Sequence, residues 1–184
     1  MYLDLVPCNQ RSHVSLFLLT PDDVSEDYVS WLNDPLVNQY LESRFQMHTL
    51  ASTRAFVAEV LASRDSLFLG IRTQLAAGDP SRRHVGNIKL ASIDEHHRTG
   101  EVGIMIGDRA SWGKGVATAA IELLCDISRN QLSLRKVTAG CYAANVGSQR
   151  AFEKAGFSVE AVRKQQVLLN GVPEDVVLMG RCLC

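Results

Sequence analysis

The chain has 184 residues, 46% of them hydrophobic, and a formal net charge of −1. That length fits one domain with a sizeable core, and the near-neutral balance argues against broad nucleic-acid binding. Five cysteines, an odd number without paired spacing, indicate free thiols in a reducing compartment; no apolar stretch is long enough to span a membrane and Met1–Pro7 has no basic leader pattern, so a cytoplasmic chain is expected.

Val14–Leu19 reads as the first strand. Thr20-Pro21-Asp22-Asp23 signals a helix start, with a capping hydroxyl, a proline and acids near the positive dipole end. Val24, Tyr28, Trp31 and Leu32 then share one helical face. Asn33-Asp34-Pro35 breaks that helix, and a short one restarts over Pro35–Leu41. Thr49–Ser63 predicts the next helix, with Phe56, Val57, Val60 and Leu61 inward. Leu67, Leu69 and Ile71 alternate as a strand, and Thr73–Arg83, with Gly78-Asp79-Pro80, reads as a flexible loop. His84–Ile93 is a strand, Asp94–Gly100 a polar turn, and Glu101–Ile106 another strand.

Val116, Ala119, Ala120, Leu123, Leu124 and Ile127 recur at helical spacing. Lys136–Tyr142 is a strand, and Asn145–Ala155 a helix stopped by Gly156. Val159–Leu169, Asn170-Gly171 and Val172–Met179 form a hairpin with a strong turn signal. The order β-α-α-β-β-β-α-β-α-β-β predicts an α/β (α+β) chain, a mixed sheet flanked by helices.

The segment Arg109–Ala117 places Gly113, Lys114 and Gly115 between an apolar strand and an amphipathic helix. Such a turn exposes backbone N–H groups at the positive end of a helix, where phosphate binds. An ordinary strand-to-helix turn fits the local pattern equally well. A Walker loop does not, because Asp108 stands at its first glycine and Gly115 follows Lys114. A dinucleotide fingerprint also fails, because Thr118 stands at its third glycine.

A second cluster follows at a set distance: Asn145, Ser148, Ala151, Phe152, Glu153, Lys154, Ala155, Gly156 and Phe157. With Glu101-Val-Gly-Ile-Met-Ile and Trp112-Gly-Lys-Gly-Val-Ala, it resembles the GCN5-related N-acetyltransferase (GNAT) superfamily. The likeness is to the branch of ribosomal-protein N-terminal and amino-sugar acetyltransferases. It runs from Val14 to Met179 and implies a single N-acetyltransferase domain over 14–182. The fold it implies is a largely antiparallel sheet with splayed central strands. Trp112 departs from the family's Gln/Arg at the loop's first position.

The resemblance implies acetyl-CoA as co-substrate. Ile104, Met105 and Ile106 would lie along the pantetheine arm. Trp112, Gly113, Lys114, Gly115, Val116 and Ala117 would hold the pyrophosphate. Ser148 and Phe152 would border the thioester, and Asn145 would bridge the pantetheine arm and the helix start. Gly103 suits a bulge in the strand, and a backbone N–H near Ile104 would face the acetyl oxygen.

Acyl transfer to an ammonium needs a base, an oxyanion donor and a proton for the departing thiolate. Glu101 is the first candidate base; a solvated strand-end glutamate is the plain alternative. Asp94, Glu95, His96 and His97 are rivals on the neighbouring turn. Many superfamily members place a tyrosine acid where Phe152 stands, and a phenyl ring donates no proton. Ser148 is the substitute candidate, with a helix-start role as its alternative, and Tyr142 is an outside candidate. Asn145 has a simple cap as its alternative. Cys125 and Cys141 read as packing residues. Cys182 and Cys184 lack the other ligands a zinc site wants, so no metal is expected.

Trp31–His48 resembles the opening segment of amino-sugar acetyltransferases. Arg44, His48 and Arg82-Arg83-His84 would meet a nucleotide's phosphates, though each also reads as surface charge. The expected acceptor is therefore a small-molecule amine, foremost on a nucleotide-linked sugar. A protein N-terminus is the alternative, and a CoA-binding sensor without turnover is a third reading. A homodimer is compatible with all three.

Overall fold

The computed structural model describes residues 8–9, 13–74 and 82–183. Among them, eight strands form one sheet in the order β1-β2-β3-β4-β5-β6-β8-β7. They are β1 (Cys8–Asn9), β2 (Val14–Leu18), β3 (Leu67–Gln74), β4 (Arg82–Asp94), β5 (Thr99–Ile106), β6 (Lys136–Tyr142), β7 (Ser158–Leu169) and β8 (Val172–Cys182). The α-helices are α1 (Glu26–Asn33), α2 (Pro35–Asn38), α3 (Leu50–Ala62), α4 (Val116–Asn130) and α5 (Val146–Lys154). Adjacent strands run antiparallel except β5 and β6, which are parallel and joined through α4.

Two apolar layers cover opposite faces of the sheet. Under α4 and α5 lie Leu69, Ile88, Leu90, Val102, Val137, Ala139 and Met179. All six apolar positions read from the periodicity of α4 are buried, which is why this helix was legible without its neighbours. On the other face, Tyr28, Val29 and Leu32 of α1 and Val57 and Val60 of α3 pack over Phe68.

Local chemistry moved several boundaries. Thr20–Asp23 does start a turn, a 3₁₀ turn over Pro21–Asp23 in which the Asp23 carboxylate accepts from Thr20 N–H at 3.0 Å. The chain then extends at Val24, and α1 begins afresh behind Ser25, whose hydroxyl accepts from Tyr28 N–H. Helix α3 turns Thr53, Val57 and Val60 inward. Phe56 and Leu61 were expected inside but are 45% and 43% exposed. The stripe is i, i+4, i+7 from Thr53, so Phe56 lies at its edge against Phe68 and Lys89.

Thr73 and Gln74 finish β3, and Arg82 and Arg83 begin β4; residues 75–81 of the predicted loop lie outside the described residues. The bulge expected at Gly103 is absent. Gly103 pairs regularly with Lys89, and the β4–β5 irregularity falls between Ala91 and Asp94, where Ser92 has a positive φ. The Asn170-Gly171 hairpin forms as expected, with both residues at positive φ.

Among the described residues, Gly86 is the one strand glycine that the backbone of the neighbouring strand demands. A Cβ there would stand 2.3 Å from the Met105 carbonyl oxygen on β5. Gly86→Ala is expected to push β4 and β5 apart and cost about 1–3 kcal/mol. At this size each kcal/mol lowers Tm by about 2–4 °C. A thermal melt indistinguishable from wild type would refute the contact.

Candidate active site

β5 and β6 pair only at Thr99–Lys136, Gly100–Val137 and Glu101–Thr138. Beyond that point β5 stays with β4 to Ile106, while β6 stays with β8 to Tyr142. The two central strands therefore splay into a fork, with Glu101 at its apex. Val102 faces α4, so the exposed Glu101 faces the side of α1–α3. Its carboxylate has no hydrogen-bond or ion-pair partner among the described residues.

The loop after β5 is braced from both ends. Asp108 accepts from Ser111 Oγ at 2.7 Å and pairs with Arg83 at 2.9 Å. Against the cost of desolvation, these partners hold the Asp108 carboxyl below its ordinary value. Trp112 Nε1 donates to the Ile106 carbonyl at 2.8 Å, pinning the loop to the end of β5. That is the structural use of the residue that departs from the family pattern. Gly113 and Gly115 have φ of 71° and 77°, and Gly115 is the N-cap of α4. No atom outside the adjoining residues lies within 4 Å of a Cβ at either. The first-turn N–H groups of α4 thus open onto clear space.

A cleft of about 490 Å³ begins at this turn. One wall is Ile104, Met105 and Ile106 with Trp112, Gly113, Gly115, Val116 and Ala117. The opposite wall is the start of α5, where Asn145 caps the helix by accepting from Ser148 N–H at 3.1 Å. Ser148 lines the cleft, its hydroxyl 3.4 Å from Cys141 Sγ. Lys114 is exposed and does not line it. Neither does Phe152, which is 2% exposed and packs edge-to-face on Phe157. Its position in α5 turns it to the core, so the expected border with the thioester does not form.

Two cationic side chains escaped the sequence reading. Arg150 and Lys154 line the cleft from α5. Their places three and seven residues after Gly147, on one helical side with Ala151, were the available signal. The third wall is Leu36, Val37, Tyr40 and Leu41, from α2 and the turn after it, within the Trp31–His48 segment expected on the acceptor side.

The rival groups stand elsewhere. His96 and His97 meet edge-to-face in the β4–β5 turn, behind the stretch where β5 and β6 are still paired. Asp94 caps that turn, and the His97 N–H holds its carboxyl below the ordinary value. Tyr142 donates to Glu42 at 2.5 Å and accepts from Arg44 at 3.0 Å. Burial, then the bond to Glu42, raises its pKa. Cys125 is buried and pushed up to about 11, as a packing thiol should be. Burial raises Cys141 likewise. Cys184 lies outside the described residues.

The basic residues expected to meet phosphates serve the fold. Arg44 is largely buried and donates to the Leu41 and Leu168 carbonyls. His48 bonds to the Ser43 carbonyl. His84 sits among Phe17, Tyr28 and Trp31, and desolvation lowers its pKa. Arg83 braces Asp108, and Arg82 is exposed at the start of β4. None of the five lines the cleft.

A family model described as an acetyltransferase (GNAT) domain matches residues 13–158. The probable N-acetyltransferase YjcK of Bacillus subtilis (strain 168) is 37% identical over 94 residues, 50% of this chain and 51% of that protein. Spermidine N(1)-acetyltransferase of Escherichia coli (strain K12) is 31% identical over 94 residues, 51% of this chain and 50% of that protein. The chain thus matches about half the length of these curated relatives. A crystal structure of spermidine N-acetyltransferase from Vibrio cholerae, in complex with CoA and spermine, superposes with a TM-score of 0.81 at 20% identity. The superposition covers 94% of this chain and 96% of that one, and it shows the shared fold. On the family match, the fork and the glycine turn, this chain belongs to the GNAT acetyltransferase family.

Proposed function

We propose that the chain is an acetyl-CoA-dependent N-acetyltransferase that moves an acetyl group directly to a primary amine. The observation that carries this is the joining of fork and glycine turn in one cleft. The α4 N-terminus suits a pyrophosphate, with Gly113 and Gly115 keeping side chains out of its way. The free edge of β5 from Val102 to Ile106 suits an extended, amide-bearing arm. Arg150 and Lys154 add positive charge for the phosphates along α5.

Bound acetyl-CoA supplies the thioester; the residues do the rest. Glu101, unpaired at the apex, accepts the proton of the incoming ammonium. An N–H of β5 near Ile104 donates to the acetyl oxygen as charge builds there. Ser148 positions the sulfur and donates a hydrogen bond toward it, because Phe152 has no proton to give. Positioning supplies much of the rate, so no covalent enzyme intermediate is required.

The acceptor reading narrows to the amine itself. With Arg44, His48, Arg83 and His84 engaged in the fold, the support for a nucleotide-linked sugar weakens. The wall of Leu36, Val37, Tyr40 and Leu41 suits an aliphatic amine, and relatives named for spermidine make a polyamine the first probe. The test is CoA release with spermidine, an amino-sugar nucleotide and a short peptide with a free N-terminus. Turnover of the small amine is the expected result. Peptide turnover alone would make the protein-directed reading correct, and acetyl-CoA binding with no turnover of any amine would leave a sensor.

A further inference from the structure

We infer that Gly140 is the floor of the acceptor subsite and sets which amines the fork admits; this rests on the acetyltransferase reading above. Gly140 lies near the middle of β6, exposed, on the same face as Glu101. A glycine in a strand interior weakens it, so an exposed one on an inner strand needs a cause.

Packing supplies none. Its φ is not among the positive ones, so the backbone does not require glycine. A Cβ there would meet Leu178 and Val176 at 3.8 Å and Glu101 Oε1 at 3.9 Å, all ordinary contacts. Gly86 and Gly107 differ sharply, since a Cβ at those positions would fall within 2.5 Å of the Met105 carbonyl oxygen and the Trp31 ring. The chain therefore leaves a side chain out at 140 where one would fit.

What surrounds Gly140 describes the occupant. Glu101 stands on one side, a free carboxylate for an ammonium group. Val176 and Leu178 form the adjoining wall, suited to methylene groups. Tyr142, the next residue of β6 on this face, closes the far end, and its ring meets Tyr40 of the cleft wall. The occupant is an unbranched primary alkylamine, its ammonium at Glu101 and its chain along Val176 and Leu178. A branch at the carbon bearing nitrogen would strike the floor.

The test compares wild type with Gly140→Ala and Gly140→Val, using 1,4-diaminobutane and sec-butylamine as probes. The readouts are CoA release, acetyl-CoA affinity by calorimetry, probe affinity for the CoA-saturated protein, and Tm. Wild type is expected to favour the linear probe. Gly140→Val should lower kcat/KM for 1,4-diaminobutane at least about tenfold, with Gly140→Ala between. Acetyl-CoA affinity should change less than about twofold, and Tm should hold or rise, because valine suits a strand better than glycine. A purely structural glycine would instead lose Tm and affinity together, and that result overturns the inference, as does unchanged kcat/KM in Gly140→Val. If wild type binds the linear probe without turnover, the acetyltransferase reading fails separately. Loss of that binding in Gly140→Val then still supports the floor, and retained binding removes it. A wild type that neither binds nor acetylates either probe overturns the inference outright.

Discussion

Replacing Glu101 with glutamine is expected to lower kcat at neutral pH by about 10²–10⁴-fold, the usual cost of removing a general base. The substitution keeps the shape of the side chain and removes its negative charge together with its ability to take a proton. Acetyl-CoA affinity should stay nearly intact, because Glu101 faces away from the glycine turn and lines no part of the cleft that begins there. The pH profile makes the assignment specific. Protonating a carboxylate base silences the wild type in acid, so the low-pH limb of kcat/KM should vanish in Glu101→Gln. A profile that keeps this limb in the variant would move the role to a water chain or to His96 and His97. The histidines are poorly placed for it, since the paired stretch Thr99–Glu101 lies between their turn and the open fork.

Gly115→Asp is expected to weaken acetyl-CoA binding by about 2 kcal/mol or more, about 30-fold in Kd. Two effects add. Gly115 caps α4 at φ 77° and ψ 5°, a left-handed conformation that favours glycine and that aspartate and asparagine adopt at a smaller cost than other residues. The new carboxylate would also stand at the helix N-terminus, where the pyrophosphate is expected. Gly115→Asn separates these effects, because asparagine tolerates the same backbone and carries no charge. The asparagine variant should therefore recover much of the affinity. Calorimetry giving all three proteins one Kd, with the fold intact, would take the loop out of the site.

What could be read ahead from the residues was whatever short-range chemistry decides. The α4 stripe, the Asn170-Gly171 hairpin and the glycine turn each depend on neighbours within a few positions. The cap of α5 was legible for the same reason, since Asn145 and Ser148 are three residues apart. The acceptor side was not legible, because its partners are remote in sequence. Arg44 read as a phosphate contact or as surface charge, yet it bonds Tyr142 and the Leu168 carbonyl, 98 and 124 residues away. His84 looked like a phosphate ligand until the ring of Trp31 came to rest against it. Phe56 and Leu61 failed differently: the right helix was assigned, but its stripe was rotated by about one position. Gly140 carries no motif at all, and only its exposed place beside Glu101, with ordinary contacts for a Cβ, marks it out.

The brevity of the β5–β6 pairing has a consequence for solvent. Among the described residues, β5 has no strand on its fork side from Val102 to Ile106. At the outer end the Trp112 indole takes the Ile106 carbonyl, leaving the stretch between to be hydrated in the free protein. An incoming molecule that bears amides at peptide-like intervals can replace those waters bond for bond and release them to bulk. A compact molecule of equal polarity would strip the same waters without restoring their bonds, leaving polar backbone dry at a cost of about 1–3 kcal/mol for each orphaned group. On the proposed reading, dehydration along this strand edge would favour a long, amide-bearing donor over a compact one.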